Sequence, residues 1–97
     1  MKLFEQYQFQ PFVKETLQKL NFQSPTEIQK SVIPLVYKHR DVIGISQTGT
    51  GKTHAFLIPI MDMIETSADC VQAVITAPTR ELAQQIYDQA KVFTNYS

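Results

Sequence analysis

The chain has 97 residues, enough for one small domain, and its hydrophobic content of 43% is ordinary for a globular protein. Nine basic residues balance nine acidic ones, which excludes a general attraction to polyanions, so a nucleic-acid partner would need a local site. The single cysteine, Cys70, excludes an internal disulfide and a cysteine-based metal cluster. It suits a reducing compartment, so we expect a cytoplasmic protein in which Cys70 is a half-buried apolar residue.

A membrane partner and a histidine-based metal site are not expected either. No apolar run approaches the roughly 18–20 residues that span a bilayer, and the first residues lack a signal-peptide core. His39 and His54 do not have the spacing of metal ligands.

The first residues predict an aromatic arm followed by a helix. Residues 1–9 contain Phe4, Tyr7 and Phe9, which we expect to pin the arm to the core. Pro11 is favoured in a first helical turn, so a helix is predicted from Pro11 to about Leu20. Its apolar face would consist of Phe12, Val13, Leu17 and Leu20.

A second helix is predicted to start at Ser24. Ser24 is a good N-cap, Pro25 a good first helical residue, and Glu27 would complete a capping box. Pro34 should kink or end this helix. Its apolar face would consist of Ile28, Val32 and Leu35.

Two residues around this helix start have two interpretations. Gln29 lies in the first turns, at a fixed place relative to Phe22. From spacing alone, Gln29 is a solvated helix residue and Phe22 a core residue. The alternative is that the two side chains form one binding site.

A glycine-bearing loop follows an apolar run at residues 41–45, which predicts a strand buried on both faces. The order strand, loop, Gly-Lys-Thr, helix is typical of a phosphate-binding loop. The candidate phosphate-binding residues are Ser46, Gln47, Thr48, Gly49, Thr50, Gly51, Lys52 and Thr53.

The residue types of this loop suit phosphate chemistry. Gly49 and Gly51 let backbone amides approach an anion at a helix N-terminus. Lys52 can reach the outer phosphates, and the Thr53 hydroxyl can complete the shell of a Mg²⁺ ion. The strict pattern has glycine where Ser46 stands, so a Gly/Thr-rich surface turn is the alternative interpretation.

The remaining pattern predicts helix, strand and helix. The helix after the loop should continue to about Glu65 with a kink at Pro59. A second buried strand is predicted at residues 71–77, and Thr79 should cap the last helix. This order favours an α/β domain with a parallel sheet. The buried stripe of the last helix would consist of Leu82, Ile86, Ala90 and Phe93.

Three stretches in this order resemble the motifs of DEAD-box ATP-dependent RNA helicases, most of all the bacterial cold-shock-type members. Residues 22–29 resemble the Q motif, residues 46–53 motif I and residues 78–83 motif Ia, and Phe4 stands where the family keeps an isolated aromatic. The resemblance covers the whole chain. It implies the N-terminal part of a RecA-like P-loop NTPase domain, with residues 1–40 as the Q-motif region and 41–97 as the P-loop and motif Ia region.

The resemblance implies a role for each matching residue. Gln29 would read adenine with its amide, Phe22 would stack on the base, and Thr26 would hold the Q motif against the phosphate loop. Lys52 and Thr53 would be the catalytic residues at the β- and γ-phosphates of ATP, with Thr53 on Mg²⁺.

A third set of residues would contact RNA. Pro78, Thr79 and Arg80 would lie along an RNA backbone, which predicts binding independent of base sequence. Without the resemblance, Arg80 is a surface arginine at a helix start. Asn21 and His39 stand where the family usually has glycine, and both residue types tolerate a positive φ.

The resemblance also implies what these residues lack. There is no Asp-Glu-Ala-Asp stretch, no Ser-Ala-Thr motif and no second RecA-like domain. We therefore expect a fragment of an enzyme that remodels short RNA duplexes, inactive by itself. In the family, other strands lie between those predicted at 41–45 and 71–77, so we expect marginal stability or self-association.

Three alternative functions remain at this point. The chain could be a non-catalytic module that binds adenine nucleotides or RNA, or part of a DNA helicase of the same superfamily. A GTPase or small-molecule kinase is less favoured, because the sequence has no Asn-Lys-x-Asp guanine-binding motif.

Overall fold

A computed structural model describes residues 3–4, 7–45, 51–65 and 67–95. The helices in these ranges are α1 (Pro11–Lys19), α2 (Glu27–Tyr37), α3 (Lys52–Met63) and α4 (Arg80–Thr94). α2 packs on α3, and α1 and α4 pack against α3 and each other.

The aromatic arm and α1 form as predicted. α1 starts at Pro11 and ends at Lys19, with Leu20 as its C-cap. Phe4 and Phe9 are buried, and the backbone N–H of Phe4 donates to the carbonyl of Gln23 at 2.7 Å. The arm is therefore fixed to the turn that follows α1.

The predicted start of α2 is wrong by two residues. Thr26, not Ser24, is the N-cap, and Thr26 and Gln29 form the capping box. Both Ser24 with Glu27 and Thr26 with Gln29 match the same pattern, since each pair is spaced by three. A glutamine amide can donate as well as accept, and Gln29 uses its donor on Gly51, a contact that Glu27 could not replace.

Neither internal proline ends its helix. α2 continues from Pro34 to Tyr37, and Lys38 N–H donates to the carbonyl of Pro34 at 3.2 Å. α3 continues past Pro59 and ends at Met63, slightly before the predicted end. A proline removes one helical hydrogen bond, and packing of the buried residues before it and of the half-buried residues after it offsets that loss.

Two apolar segments, residues 41–45 and 71–77, have no regular secondary structure. The described part of the chain contains no strand, so the predicted parallel sheet is not confirmed. Ile43 is 90% exposed and Val71 is 82% exposed, so the expectation that these segments are buried is wrong. A strand needs backbone partners on neighbouring strands, and the described residues do not provide them.

The core lies among the arm, α1, α2 and α3, with the C-terminal end of α4 closing it. Its buried members are Phe4, Phe9, Val13, Leu17, Ile33, Ile58 and Phe93.

Of the stripe predicted on α4, only Phe93 is buried; Ile86 and Ala90 are half-buried and Leu82 is exposed. Cys70 is exposed rather than half-buried, because it lies in the irregular connection after α3.

A hydrogen-bonded cluster around Asp62 ties the arm, α2 and α3 together. The Asp62 carboxylate accepts from the backbone N–H of Gln10 and from the Tyr37 hydroxyl, both at 2.6 Å. The Gln10 side-chain amide also donates to the carbonyls of Asp62 and Ile64. Burial raises the pKa of Tyr37, and the hydrogen bond to Asp62 and its negative charge raise it further, so the phenol stays protonated.

Candidate functional site

Gln29 connects the start of α2 to the start of α3. Its side chain is 3% exposed, so the interpretation of a solvated helix glutamine is wrong. Its Oε1 accepts from the backbone N–H of Thr26 at 2.9 Å, and its Nε2 donates to the carbonyl of Gly51 at 3.2 Å. One amide thus joins the capped turn of α2 to Gly51, the residue of the predicted phosphate loop that directly precedes α3.

Gly51 has a conformation and a position that only glycine suits. It is the N-cap of α3 with φ +87°, in the left-handed region. A Cβ at this position would lie 2.5 Å from Nε2 of Gln29. The Gly51 carbonyl accepts both from Gln29 and from the N–H of Ala55, so it also starts the helical hydrogen bonding.

Lys52 and Thr53 are the first two residues of α3. The free backbone N–H groups of a helix start and the helix dipole both favour a negatively charged group there. The other predicted phosphate-binding residues, Ser46, Gln47, Thr48, Gly49 and Thr50, lie outside the described residues.

Phe22 has a half-buried ring that lines a cavity of about 420 Å³. This volume lies within the range of small-molecule sites, about 300–1,000 Å³. Neither Gln29 nor Lys52 is among its described lining residues, so the structure does not place Phe22 and the Gln29 amide in one pocket. The cavity is lined by Leu3, Phe4, Lys14, Leu17, Gln18, Asn21, Phe22 and Gln23.

His54 is the site residue that sequence reasoning missed. Its ring meets Phe22 edge-on, with centroids 5.0 Å apart and planes at 86°, and lies 6.3 Å from the ring of Phe93. Burial lowers the pKa of His54, so the ring is held neutral. A signal existed, because His54 follows Lys52 and Thr53 directly and precedes the buried face of α3.

The residues predicted to contact RNA lie at the start of α4. Thr79 is its N-cap, as predicted, and Thr79 Oγ1 accepts from the N–H of Leu82 at 3.1 Å. Pro78, Thr79 and Arg80 are all exposed. Their side chains are therefore accessible to a partner, and their contact with RNA stays a prediction.

Asn21 and His39 both adopt the left-handed conformation, with φ of 61° and 58°. At both positions the family that the sequence resembles usually has glycine. The prediction that Asn and His tolerate a positive φ there is confirmed.

The described residues contain no group of three His, Cys, Asp or Glu side chains placed to hold a metal ion. A Mg²⁺ ion held by one hydroxyl and by phosphate oxygens keeps most of its waters and needs no such group, so Thr53 fits that ion. Within the same residues, no helix has the length and hydrophobicity required to cross a bilayer.

Comparison with known proteins gives concordant results. The DEAD/DEAH box helicase family matches residues 26–97. The chain is 52% identical to the DEAD-box ATP-dependent RNA helicase CshB of Listeria monocytogenes, over 97% of this chain and 22% of that protein. It is 55% identical to CshB of Bacillus subtilis, over 94% of this chain and 21% of that protein. The chain thus spans about a fifth of the length of these relatives.

Solved structures agree. Prp28 of Chaetomium thermophilum, an RNA helicase bound to ADP, matches with a TM-score of 0.80 and 36% identity, over 98% of this chain and 24% of that one. A DEAD box protein of Methanococcus jannaschii matches with a TM-score of 0.84 and 30% identity, over 95% of this chain and 26% of that one. The coarse fold class, part of a RecA-like helicase domain, is therefore confirmed. The chain belongs to the DEAD/DEAH box helicase family.

Proposed function

We propose that this chain is the ATP-binding, N-terminal part of an ATP-dependent RNA helicase that works in the cytoplasm. The observation that carries the proposal is the hydrogen-bonded link from Thr26 through Gln29 to Gly51. It places the Q-motif turn against the start of α3, where a nucleotide would need base and phosphate contacts on one rigid unit. The relatives named as ATP-dependent RNA helicases support the same assignment.

On the phosphate side, residues 46–53 would surround the anion. Their backbone amides would face it at the N-terminus of α3, and Lys52 would neutralise the outer phosphates. The Thr53 hydroxyl would hold Mg²⁺, which would neutralise phosphate charge.

On the base side, Phe22 would stack on adenine and Gln29 would hydrogen-bond to its edge. The two amide contacts of Gln29 use one N–H and one lone pair and together leave one of each, which is the pair of groups that adenine requires. Since the Gln29 side chain is 3% exposed, a small opening of the turn would accompany base binding.

On the RNA side, Pro78, Thr79 and Arg80 would follow the sugar-phosphate backbone. Their exposure and their place at the start of α4 support this role, because accessible arginine and threonine side chains and helix N-termini all donate to nucleic-acid phosphates. Hydrolysis and strand separation would require the Asp-Glu-Ala-Asp and Ser-Ala-Thr motifs and a second domain, which these 97 residues lack. The isolated chain would therefore bind without turnover.

The predicted parallel sheet belongs to the same proposal. The segments 41–45 and 71–77 would pair with further strands, and without them they would drive self-association of the chain. Sedimentation should then show oligomers that dissociate when Ile43, 90% exposed, is replaced by lysine. A monomer that unfolds cooperatively would contradict the self-association.

The proposal is tested by titrating the chain with ATP, ADP and GTP in the presence of Mg²⁺. We expect adenine-selective binding that Lys52→Ala abolishes and that loses its base selectivity in Gln29→Ala. Lys19→Ala and Gln85→Ala remove the same side-chain types from exposed positions and serve as controls. A folded, monomeric chain that binds no nucleotide would refute the proposal.

A further inference from the structure

Phe22 sits at a boundary between an open cavity and a packed ring. Phe22 is one of the residues that line the cavity of about 420 Å³, and its ring meets the ring of His54 edge-on, with centroids 5.0 Å apart. His54 is not among the described residues that line the cavity. The histidine therefore contacts Phe22 without lining this cavity.

A hydrogen bond and the preceding turn fix the backbone of Phe22. Its N–H donates to the carbonyl of Leu17 at 2.9 Å, and the preceding residue, Asn21, turns the chain with φ 61°. These contacts place the Cα, but rotation about the side-chain bonds still moves the plane of the ring. Edge-to-face packing restricts that rotation, because the partner ring fixes the angle between the two planes.

His54 is itself held on two sides. It is the third residue of α3, directly after Lys52 and Thr53, so its position follows the helix that would bind phosphate. Its ring also lies 6.3 Å from that of Phe93, which is fully buried. A ring anchored in this way can transmit the position of α3 to Phe22.

We propose that His54 is a positioning residue for nucleotide binding, which fixes the plane of the Phe22 ring for stacking on a purine base and couples it to the phosphate-binding end of α3. This inference rests on the proposed function, because it assumes that Phe22 stacks on the base. It assigns His54 no contact with the nucleotide.

The test compares ATP with tripolyphosphate, which has the phosphates but no base. His54→Leu, which removes the ring and keeps an apolar side chain, should weaken ATP binding about two- to tenfold, the strength of one aromatic pair. Tripolyphosphate binding should not change, and His54→Phe should restore ATP affinity. Tyr87→Leu removes an exposed ring from α4 and should change neither affinity.

A Phe22→Leu background adds a second criterion. There, His54→Leu should weaken ATP binding no further, because the ring that it positions is absent. An equal loss of ATP and tripolyphosphate affinity would show that His54 only supports the start of α3, and would overturn the inference. An unchanged ATP affinity would also overturn it.

Two further readouts separate the possible failures. If the unsubstituted chain does not distinguish ATP from GTP, the proposed function fails and the inference with it. If it does distinguish them but does not respond to His54→Leu, only the inference fails. If His54→Leu does not fold, the contact is tested in the unsubstituted chain. The rings of Phe22 and His54 should then show a nuclear Overhauser effect. Its absence would overturn the inference.

Discussion

The molecule has two contrasting regions. One is the helical layer, which comprises the arm, α1, α2 and α3, and the other consists of the apolar segments 41–45 and 71–77. Both contain large apolar side chains, but the surroundings of these side chains are opposite. Leu57 in α3 is fully buried, whereas Ile43 is 90% exposed. A helix satisfies its backbone hydrogen bonds within itself and needs a partner only for one face. A strand needs a neighbour for its backbone as well, so the same hydrophobicity buries one region and leaves the other exposed.

One substitution in each region tests this contrast most directly, through its effect on the free energy of unfolding. Leu57→Ala should lower the free energy of unfolding by about 2–5 kcal/mol, because it leaves a cavity in the core. In the monomer, Ile43→Ala should change it by less than about 0.5 kcal/mol, because its side chain contacts mostly solvent there. Urea unfolding followed by circular dichroism measures both. Equal costs at the two positions would mean that residues 41–45 are packed in solution.

A substitution in the hydrogen-bonded cluster around Asp62 should have a smaller effect on the free energy of unfolding than Leu57→Ala. Asp62→Ala removes the acceptor for Gln10 N–H and for the Tyr37 hydroxyl, so it should cost about 1–3 kcal/mol. Asp69→Ala, at an exposed position in the irregular connection, should cost almost nothing and serves as the control. A neutral effect of Asp62→Ala in urea unfolding would show that the cluster does not stabilise the fold.

The smallest effect on the free energy of unfolding should come from the N-cap of α4, Thr79, which directly follows the segment 71–77 and Pro78. Thr79→Ala removes the acceptor for the N–H of Leu82 and should cost about 1 kcal/mol, while Thr79→Ser should be close to neutral. The ellipticity at 222 nm during thermal unfolding measures this difference. If alanine and serine behave alike, the cap does not stabilise α4.

The parts of the fold that depend on local chemistry were predictable. Pro11 at the start of α1 and Thr79 as the cap of α4 follow from residues within one helical turn. The start of α2 was not, because Ser24 and Thr26 offer equivalent boxes. The choice depends on Gly51, which is 22 residues away from Gln29.

The candidate site shows the same division. Spacing alone favoured a solvated Gln29, whereas the resemblance implied one nucleotide site with the phosphate loop, and the hydrogen bond from Gln29 to Gly51 supplies a contact between the two. The contact of His54 with Phe22 joins α3 to a turn far from it in sequence, and no local pattern predicts such a ring pair. Burial of the segments 41–45 and 71–77 requires neighbouring strands, which periodicity alone cannot supply.

The central claim is that Gln29 joins the capped turn of α2 to the proposed phosphate-binding end of α3. The most direct measurement is the tripolyphosphate affinity of Gln29→Glu, which keeps an acceptor for Thr26 N–H but places a carboxylate oxygen opposite the carbonyl of Gly51. Losing this buried donor should weaken binding about tenfold, whereas Gln85→Glu, the same charge change at an exposed position, should have little effect. Unchanged tripolyphosphate affinity in a folded Gln29→Glu chain would contradict the account.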